Sequence, residues 1–527
     1  MNTTSSVLWQ LIQRMNRNEK LFFKQKFGGA EGAKTSLYLK LFDAIAGQKN
    51  YNEEALLKKL SPAITKKNIA FQKHYLHNQL NQCLIEYNNR DNVEQDIYKN
   101  IQLIRINRKK GLLNEALELW KKTMNKARKV ELFAMSQLLK KEFEKMVLFS
   151  SAQVKYDDLH TLFRSNIMTY DEYAEMITLR DLYTGVLMLK RKAHFDFDEE
   201  LKNEIGQLLQ KVNQRKQGLQ SRSFWYRHYT RMCHATLHYL SNEIDASLQL
   251  IRDAVTDWWQ HDHFIDTDTE HYIELLYMTN YAGVRQGAYS YVEEVFSNKI
   301  NDLIKDDVHQ AHFEAVKYLA LNKVYNKTAR YGEVAKLVEN MKVKYTRWEP
   351  LLNAELNRTV CFSLGIACFV LDHYTESLQF IKRGITYFKD GTREEQFIFA
   401  NLFLLLILYK MNNTKLFDAQ YKSSYAYFYK KGKKYAPGQA YSFEKTLMHC
   451  FHDTFYLSSY KEKAKLFQKA VDELDSSRDS EVQKQTLNIF NFHGWLISQI
   501  QRISYKEYVQ KKYLKETGDN KKGNVTT

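Results

Sequence analysis

The stretch CFSLGIACFVLDHYTESLQFIKRGI, from Cys361 to Ile385, decides the fold. Apolar residues recur through it at helical intervals, and it breaks once, at Asp372-His373. Gly365 in the first half and Ser377 in the second carry little side chain. Two paired helices can therefore approach closely there while Leu364, Cys368 and Ile381 fill the seam. The segment is a helical hairpin.

Its layout recurs. Tyr374 opens the second helix, and Leu113, Tyr156, Leu201, Ile244, Tyr289, Tyr331, Leu416 and Tyr460 hold the same place at spacings of 42 to 45 residues. Seven residues beyond most of these anchors stands another large apolar residue: Trp120, Phe163, Leu208, Ile251, Phe296, Val338, Ile381 or Phe467. A fixed period of this size marks a helical repeat array, in which each unit buries its apolar face only against its neighbours.

Composition points the same way. The 527 residues include only 3 prolines and 19 glycines, against usual shares of about 5% and 7%. Proline costs roughly 3 kcal/mol inside a helix and glycine about 1, so long helices avoid both. Pro62, Pro350 and Pro437 fall at breaks between apolar runs. The 35 tyrosines and 30 phenylalanines fall mostly within apolar stripes at helical spacing, where they fill the space between helix layers.

The segment Cys361 to Ile385 also resembles a tetratricopeptide repeat, through Leu364-Gly365 in the first helix and Tyr374, Ser377, Ile381 and Gly384 in the second. Leu321, Tyr325, Tyr331, Val334 and Val338 repeat the frame, as do Leu103, Gly111, Leu113, Ala116 and Trp120. The family's unit is about 34 residues, so a period of about 43 implies longer helices or turns, and the proline that often ends its second helix is absent from every copy. The expected fold is all-α: a right-handed α-solenoid of antiparallel helix pairs with a period of about 43 residues, behind a helical N-terminal head.

Residues 1–92 make up that head, with NEKLFFKQKF capped by Asn18 and SLYLKLFDAIAG ending at Gly47. Residues 93–515 carry the solenoid, and residues 516–527 are expected to be a disordered tail, with only Val525 to anchor it. The start lacks a signal-peptide pattern. The longest apolar run, Phe397 to Tyr409, contains Asn401 and falls short of the roughly 20 residues a bilayer span needs. Five cysteines without a CxxC pair fit a reducing cytoplasm.

No residue set announces a reaction. GGAEGAKTS (Gly28 to Ser36) lacks the Gly-Lys-Ser/Thr step of a phosphate loop. HDHFIDTDTEH (His261 to His271) holds ligand-type residues, yet DTDTE is also a helix-start signal, and Thr267 or Asp268 is read as the cap of the next helix. His309 and His312 lack the glutamate spacing of a zinc hydrolase and are read as surface residues. The expectation is a non-enzymatic chain without cofactor or metal.

The net charge is +17, with basic runs at RINRKKG (Arg105 to Gly111) and KKGKK (Lys430 to Lys434). Such a field attracts anionic partners. In tetratricopeptide superhelices the first helix of each pair lines a concave groove that takes peptides. The resemblance thereby implies partner-binding roles for Arg105, Arg108 and Lys109, for Tyr277, Tyr281 and Arg285, and for Lys323, Asn326 and Lys327. Phe362, Ile366 and Phe369 hold the matching places in the Cys361 unit, and burial by neighbouring turns is the expectation there. Cations and amides interleaved with tyrosines suit an acidic peptide or protein partner. The alternative is nucleic-acid binding, with YKSSYAYFYKKGKKY (Tyr421 to Tyr435) stacking unpaired bases.

Overall fold

The computed structural model describes residues 4–27, 37–88, 92–149, 170–193, 199–213, 223–388, 394–432, 442–476 and 489–523. Among these the protein is all-α, with 25 α-helices and no strand. It divides into two compact units, Met1–Met176 with Ser223–Trp225, and Ile177–Arg222 with Tyr226–Thr527.

The first unit begins with α1 (Thr4–Arg14), α2 (Arg17–Phe27), α3 (Leu37–Ala46), α4 (Glu53–Leu60) and α5 (Ile69–Asn88). These five helices share an apolar core that includes Ile12, Phe23, Phe42, Ile45, Leu56 and Leu76. The cap of α2 is Asn16 and not Asn18. Asn16 Oδ1 accepts from the Glu19 N–H at 2.9 Å while Glu19 Oε2 accepts from the Asn16 N–H at 2.8 Å. That reciprocal pair needs an acid three residues after the cap, which Asn16 has and Asn18 lacks. Then come α6 (Val93–Lys109), α7 (Leu113–Lys129) and α8 (Phe133–Phe149). Trp120 is buried between the last two and donates to the Leu139 carbonyl at 2.7 Å. The glycine-rich segment 28–36 lies outside the described residues.

Next in chain order are α9 (Tyr170–Ala193), α10 (Glu199–Asn213), α11 (Phe224–Leu240), α12 (Ile244–Gln260), α13 (His263–Thr267), α14 (Thr269–Gln286) and α15 (Tyr289–Ser297). Four more helices follow: α16 (Asp307–Lys327), α17 (Tyr331–Trp348), α18 (Ala354–Val370) and α19 (Tyr374–Ile385). The last six are α20 (Glu394–Lys410), α21 (Thr414–Gly432), α22 (Ser442–Phe455), α23 (Tyr460–Ser476), α24 (Phe492–Ile500) and α25 (Tyr505–Gly523). The helix α25 thus continues to Gly523, past residue 516, where the tail was expected to begin.

One turn recurs between consecutive helices. Gly111, Glu131, Asn242, Gly287, Ala329, Asp372, Asn412 and Arg502 all have φ between 50° and 78°. The residue after each donates its N–H to the carbonyl five residues back, as Glu243 does to His238 and His373 to Cys368, both at 2.8 Å. This is a helix C-cap with a left-handed residue at its corner, and it satisfies carbonyls that the helix end would leave bare. Six anchors read from the sequence open a helix: Leu113, Ile244, Tyr289, Tyr331, Tyr374 and Tyr460. Leu201 and Leu416 lie just inside one, and Tyr156 lies outside the described residues.

The close approach at the seam is visible in atoms. Ser377 Oγ donates to the Gly365 carbonyl at 2.7 Å, and Ser247 Oγ donates to the Ala235 carbonyl at the same distance in the α11–α12 pair. A Cβ on Gly365 would stand 2.6 Å from Ile381 Cδ1, so no larger residue fits without movement. Leucines and phenylalanines of α20 fill the core of the second unit's C-terminal part. Asn401 is held within that helix, its amide donating to the Phe397 carbonyl and accepting from Gln420. Among the described residues no helix is long and apolar enough to cross a membrane.

Candidate functional site

The nine residues implied by the groove reading fall in two places. Arg105, Arg108 and Lys109 belong to the first unit, and the other six to the second.

In the first unit the arginines are committed to the chain itself. Arg105 Nε lies 2.9 Å and Arg108 Nη2 3.8 Å from the carboxylate of Glu142, whose side chain is fully buried. Burial alone would raise the Glu142 pKa, but hydrogen bonds and charge from Arg105 and Lys145 together hold it below the ordinary value. A buried carboxylate needs such compensation, and removing one partner typically costs about 3 to 5 kcal/mol. Lys109, in the last turn of α6, is exposed.

The second unit brings the other set together. Successive turns of α14 place Glu274, Tyr277, Tyr281 and Arg285 along one stripe, and α16 places Lys323, Asn326 and Lys327. The Tyr281 ring is the centre. Lys190 Nζ stands 5.3 Å from its centroid and Lys323 Nζ 5.7 Å. Tyr277 stacks with it at 6.4 Å, and Tyr239 lies 6.1 Å away with the Arg285 guanidinium 5.4 Å above it. Burial raises the Tyr277 hydroxyl well above its ordinary pKa, with Tyr281 and Glu274 adding to the rise, so it remains a neutral donor. Surrounding protein lowers the Lys323 pKa, and Lys327 one turn on lowers it further. The Lys323 side chain nevertheless remains exposed, so it is crowded by protein while still open to water.

Charge on this face is unequally available. Lys190 is 2.7 Å from Glu274 and is neutralised by it. Arg285 donates to Asn242 Oδ1 at 2.6 Å, a neutral acceptor that leaves its charge uncompensated by that contact. Asn326 donates to the backbone and side-chain oxygens of Asn322, which in turn donates to Ser363 Oγ at 2.8 Å. Lys190 and Tyr239 were not foreseen. They come from α9 and α11, and Lys190 meets Glu274 across 84 residues of sequence, a pairing that no local pattern encodes.

Phe362 and Phe369 are buried as expected. Phe369 lies 5.1 Å from Phe403 and 5.8 Å from Phe490, ring to ring, and Phe490 also meets Phe403 at 5.0 Å. Phe490, in the segment leading into α24, thus packs on Phe369, while Phe362 meets Phe388 and Phe399.

A second aromatic set stands on α21 and α22. Tyr425 and Tyr429 are 44% and 54% exposed, and their rings stack 6.0 Å apart with an interplanar angle of 8°. Tyr421 stacks on His452 at 4.2 Å and reaches His449 through its hydroxyl at 3.2 Å. Residues 433–441, including the end of the basic run, lie outside the described residues.

The histidine-rich segment builds a helix start. Asp268 precedes α14 in the cap position, but its side chain takes no backbone N–H and accepts instead from His271 Nδ1 at 2.6 Å. His261 Nδ1 sits on the Asp257 carbonyl at 2.8 Å. His309 lies between Asp306 and Glu270, and the Asp306 hydrogen bond raises its pKa against the opposing effect of burial. Among the described residues the potential metal ligands that gather are Glu339, His373 and Glu376. The Lys342 ammonium contacts both of their carboxylates, so the chain compensates that charge itself.

No protein-family model matches the chain, and no curated protein matches it.

Proposed function

We propose that the protein is a non-enzymatic interaction scaffold, a tetratricopeptide-like α-solenoid that binds an acidic peptide or protein segment on the face formed by α14 and α16. The recurring left-handed turns at 242, 287, 329 and 372 support the repeat reading, because equal turns at near-equal intervals give successive helix pairs the same geometry. The observation that carries the binding reading is Tyr281, an aromatic platform flanked by two ammonium groups and continued by Tyr277. Lys323, Lys327 and Arg285 offer charge to a carboxylate while the tyrosines hold the apolar part of the chain beside it.

The test is binding of the full chain to an array of acidic, neutral and basic peptides. The variant is Lys323→Glu with Lys327→Glu, since both side chains are exposed. Arg105→Glu would be a poor choice, because it places a second carboxylate beside buried Glu142. Charge-assisted contacts contribute about 1.5 to 3 kcal/mol each, so the double reversal should weaken acidic-peptide binding by about a hundredfold or more. Undiminished binding would remove the assignment.

The stacked, exposed pair Tyr425 and Tyr429 favours a second reading, single-stranded nucleic acid held by base stacking. It predicts a gel shift that weakens steeply with salt and is reduced by Tyr425→Ala with Tyr429→Ala. Absence of a shift at low salt would dispose of it.

A further inference from the structure

A cleft of about 240 Å³ opens in the second unit, where two left-handed turns meet. Asp372, at the corner of the α18–α19 turn, has φ 67°, and Arg502, at the corner of the α24–α25 turn, has φ 54°. Lys410 from the end of α20 and Lys506 from the start of α25 complete the charged lining. The wall thus holds three cations and one carboxylate.

That carboxylate is fully engaged by the chain. Asp372 Oδ2 takes the Lys506 ammonium at 2.8 Å and Oδ1 accepts from the Tyr374 hydroxyl at 2.7 Å. Burial would raise its pKa, but Lys506 and Tyr374, with Lys410 adding charge, bring it below the ordinary value. Lys410 and Arg502 remain. Lys410 Nζ stands 5.9 Å from the Tyr374 ring centroid, the guanidinium carbon of Arg502 stands 3.5 Å from the Tyr460 ring centroid, and neither side chain forms an ion pair among the described residues. A guanidinium whose carbon sits over an aromatic ring still has N–H groups to offer an anion. The backbone at the start of α25 is not the anion site, because Ser504 and Glu507 already cap each other there at 2.8 and 3.1 Å. The rest of the wall includes the aliphatic Val370 and Ile503 and the rings of Phe369, Tyr374, Tyr460, Trp495 and Tyr505.

We propose that this cleft binds a small aryl anion, a carboxylate or phosphate monoester whose charged head meets Lys410 and Arg502 and whose ring rests on the aromatic wall. The site is independent of the α14–α16 face and stands whether or not that face binds peptides.

Isothermal titration of the full chain with phenyl phosphate and with benzoate tests it, and the two probes distinguish the head groups. One saturable site per chain is expected for at least one of them. Lys410→Met and Arg502→Gln should each lower that affinity by about tenfold or more, the loss of one charge-assisted contact. Lys410 is exposed at a helix end, so its variant should keep the wild-type circular dichroism and melting curve even if Arg502→Gln disturbs the turn. No binding of either probe, or binding unchanged in Lys410→Met, overturns the proposal.

Discussion

Glu444 and Glu142 are both buried carboxylates, and what surrounds each decides its charge. Glu142 is met by Arg105 and Lys145 and stays ionised. Glu444 lies in the first turn of α22 with 3% of its surface exposed. A helix N-terminus favours an anion, yet burial raises the Glu444 pKa to about 7 from 4.5, with its own N–H and Lys445 offsetting only part of the rise. Between those two values the folded chain holds a proton that the unfolded chain has released. The contribution of Glu444 to stability therefore falls as pH rises from about 4.5 to about 7 and stays lowered above that. The separation corresponds to on the order of 3 kcal/mol. Glu444→Gln should accordingly change little at about pH 4 and stabilise the protein at about pH 8, by on the order of 2 to 3 kcal/mol, read from urea midpoints at both. No gain at the higher pH would show that a partner compensates the buried carboxylate.

The turns set the length and register of the elements, and their corners differ in cost. Gly287 has φ 78° with nothing near its missing Cβ, while Ala329 sits at φ 54° in the same role. A left-handed residue with a Cβ costs roughly 1 to 2 kcal/mol, and glycine avoids that at a smaller cost in unfolded-chain entropy. Gly287→Ala should therefore destabilise by about 1 kcal/mol and Ala329→Gly stabilise by about 0.5. Denaturant midpoints of opposite sign would confirm that these corners carry strain, and shifts of the same sign would refute it. Helix starts were legible because an apolar anchor after a break is a local signal, as at Tyr331 and Tyr374. Of the corners, Asp372 was legible as the break in its hairpin, but Ala329 and Arg502 were not, since they carry no turn chemistry of their own and the helix on either side imposes the conformation. Asn16 was missed for a smaller reason. Both asparagines fit the cap, and only the position of Glu19 chooses between them.

At the scale of the whole chain, what sequence could not reveal was which side chains meet across long separations. Arg105 was legible as a cation on the first helix of a pair, but the buried carboxylate it serves lies 37 residues on. Phe490 and Phe369 meet across an even longer stretch. Periodicity specifies neighbours, and folding back within a unit is decided by which apolar faces are left uncovered. The proposed array makes a prediction about cooperativity that a single globule does not. In a stack of repeats, stability is a sum of unit and nearest-neighbour terms, so damage stays local. Asp257 on α12 provides the lesion. It is 10% exposed and pairs with Arg227 and Arg231 of α11 at distances down to 2.7 Å for Arg227. Burial would raise its pKa, and the two guanidinium groups together pull it below the ordinary carboxylate value. Asp257→Asn removes the carboxylate charge that both guanidinium groups share and should cost about 3 kcal/mol. Amide hydrogen exchange should then accelerate through α11 to α14, while α20 to α23 keep wild-type protection. Equal loss of protection across both stretches would mean that the second unit unfolds as one cooperative body, and the stacked-repeat reading would fall with it.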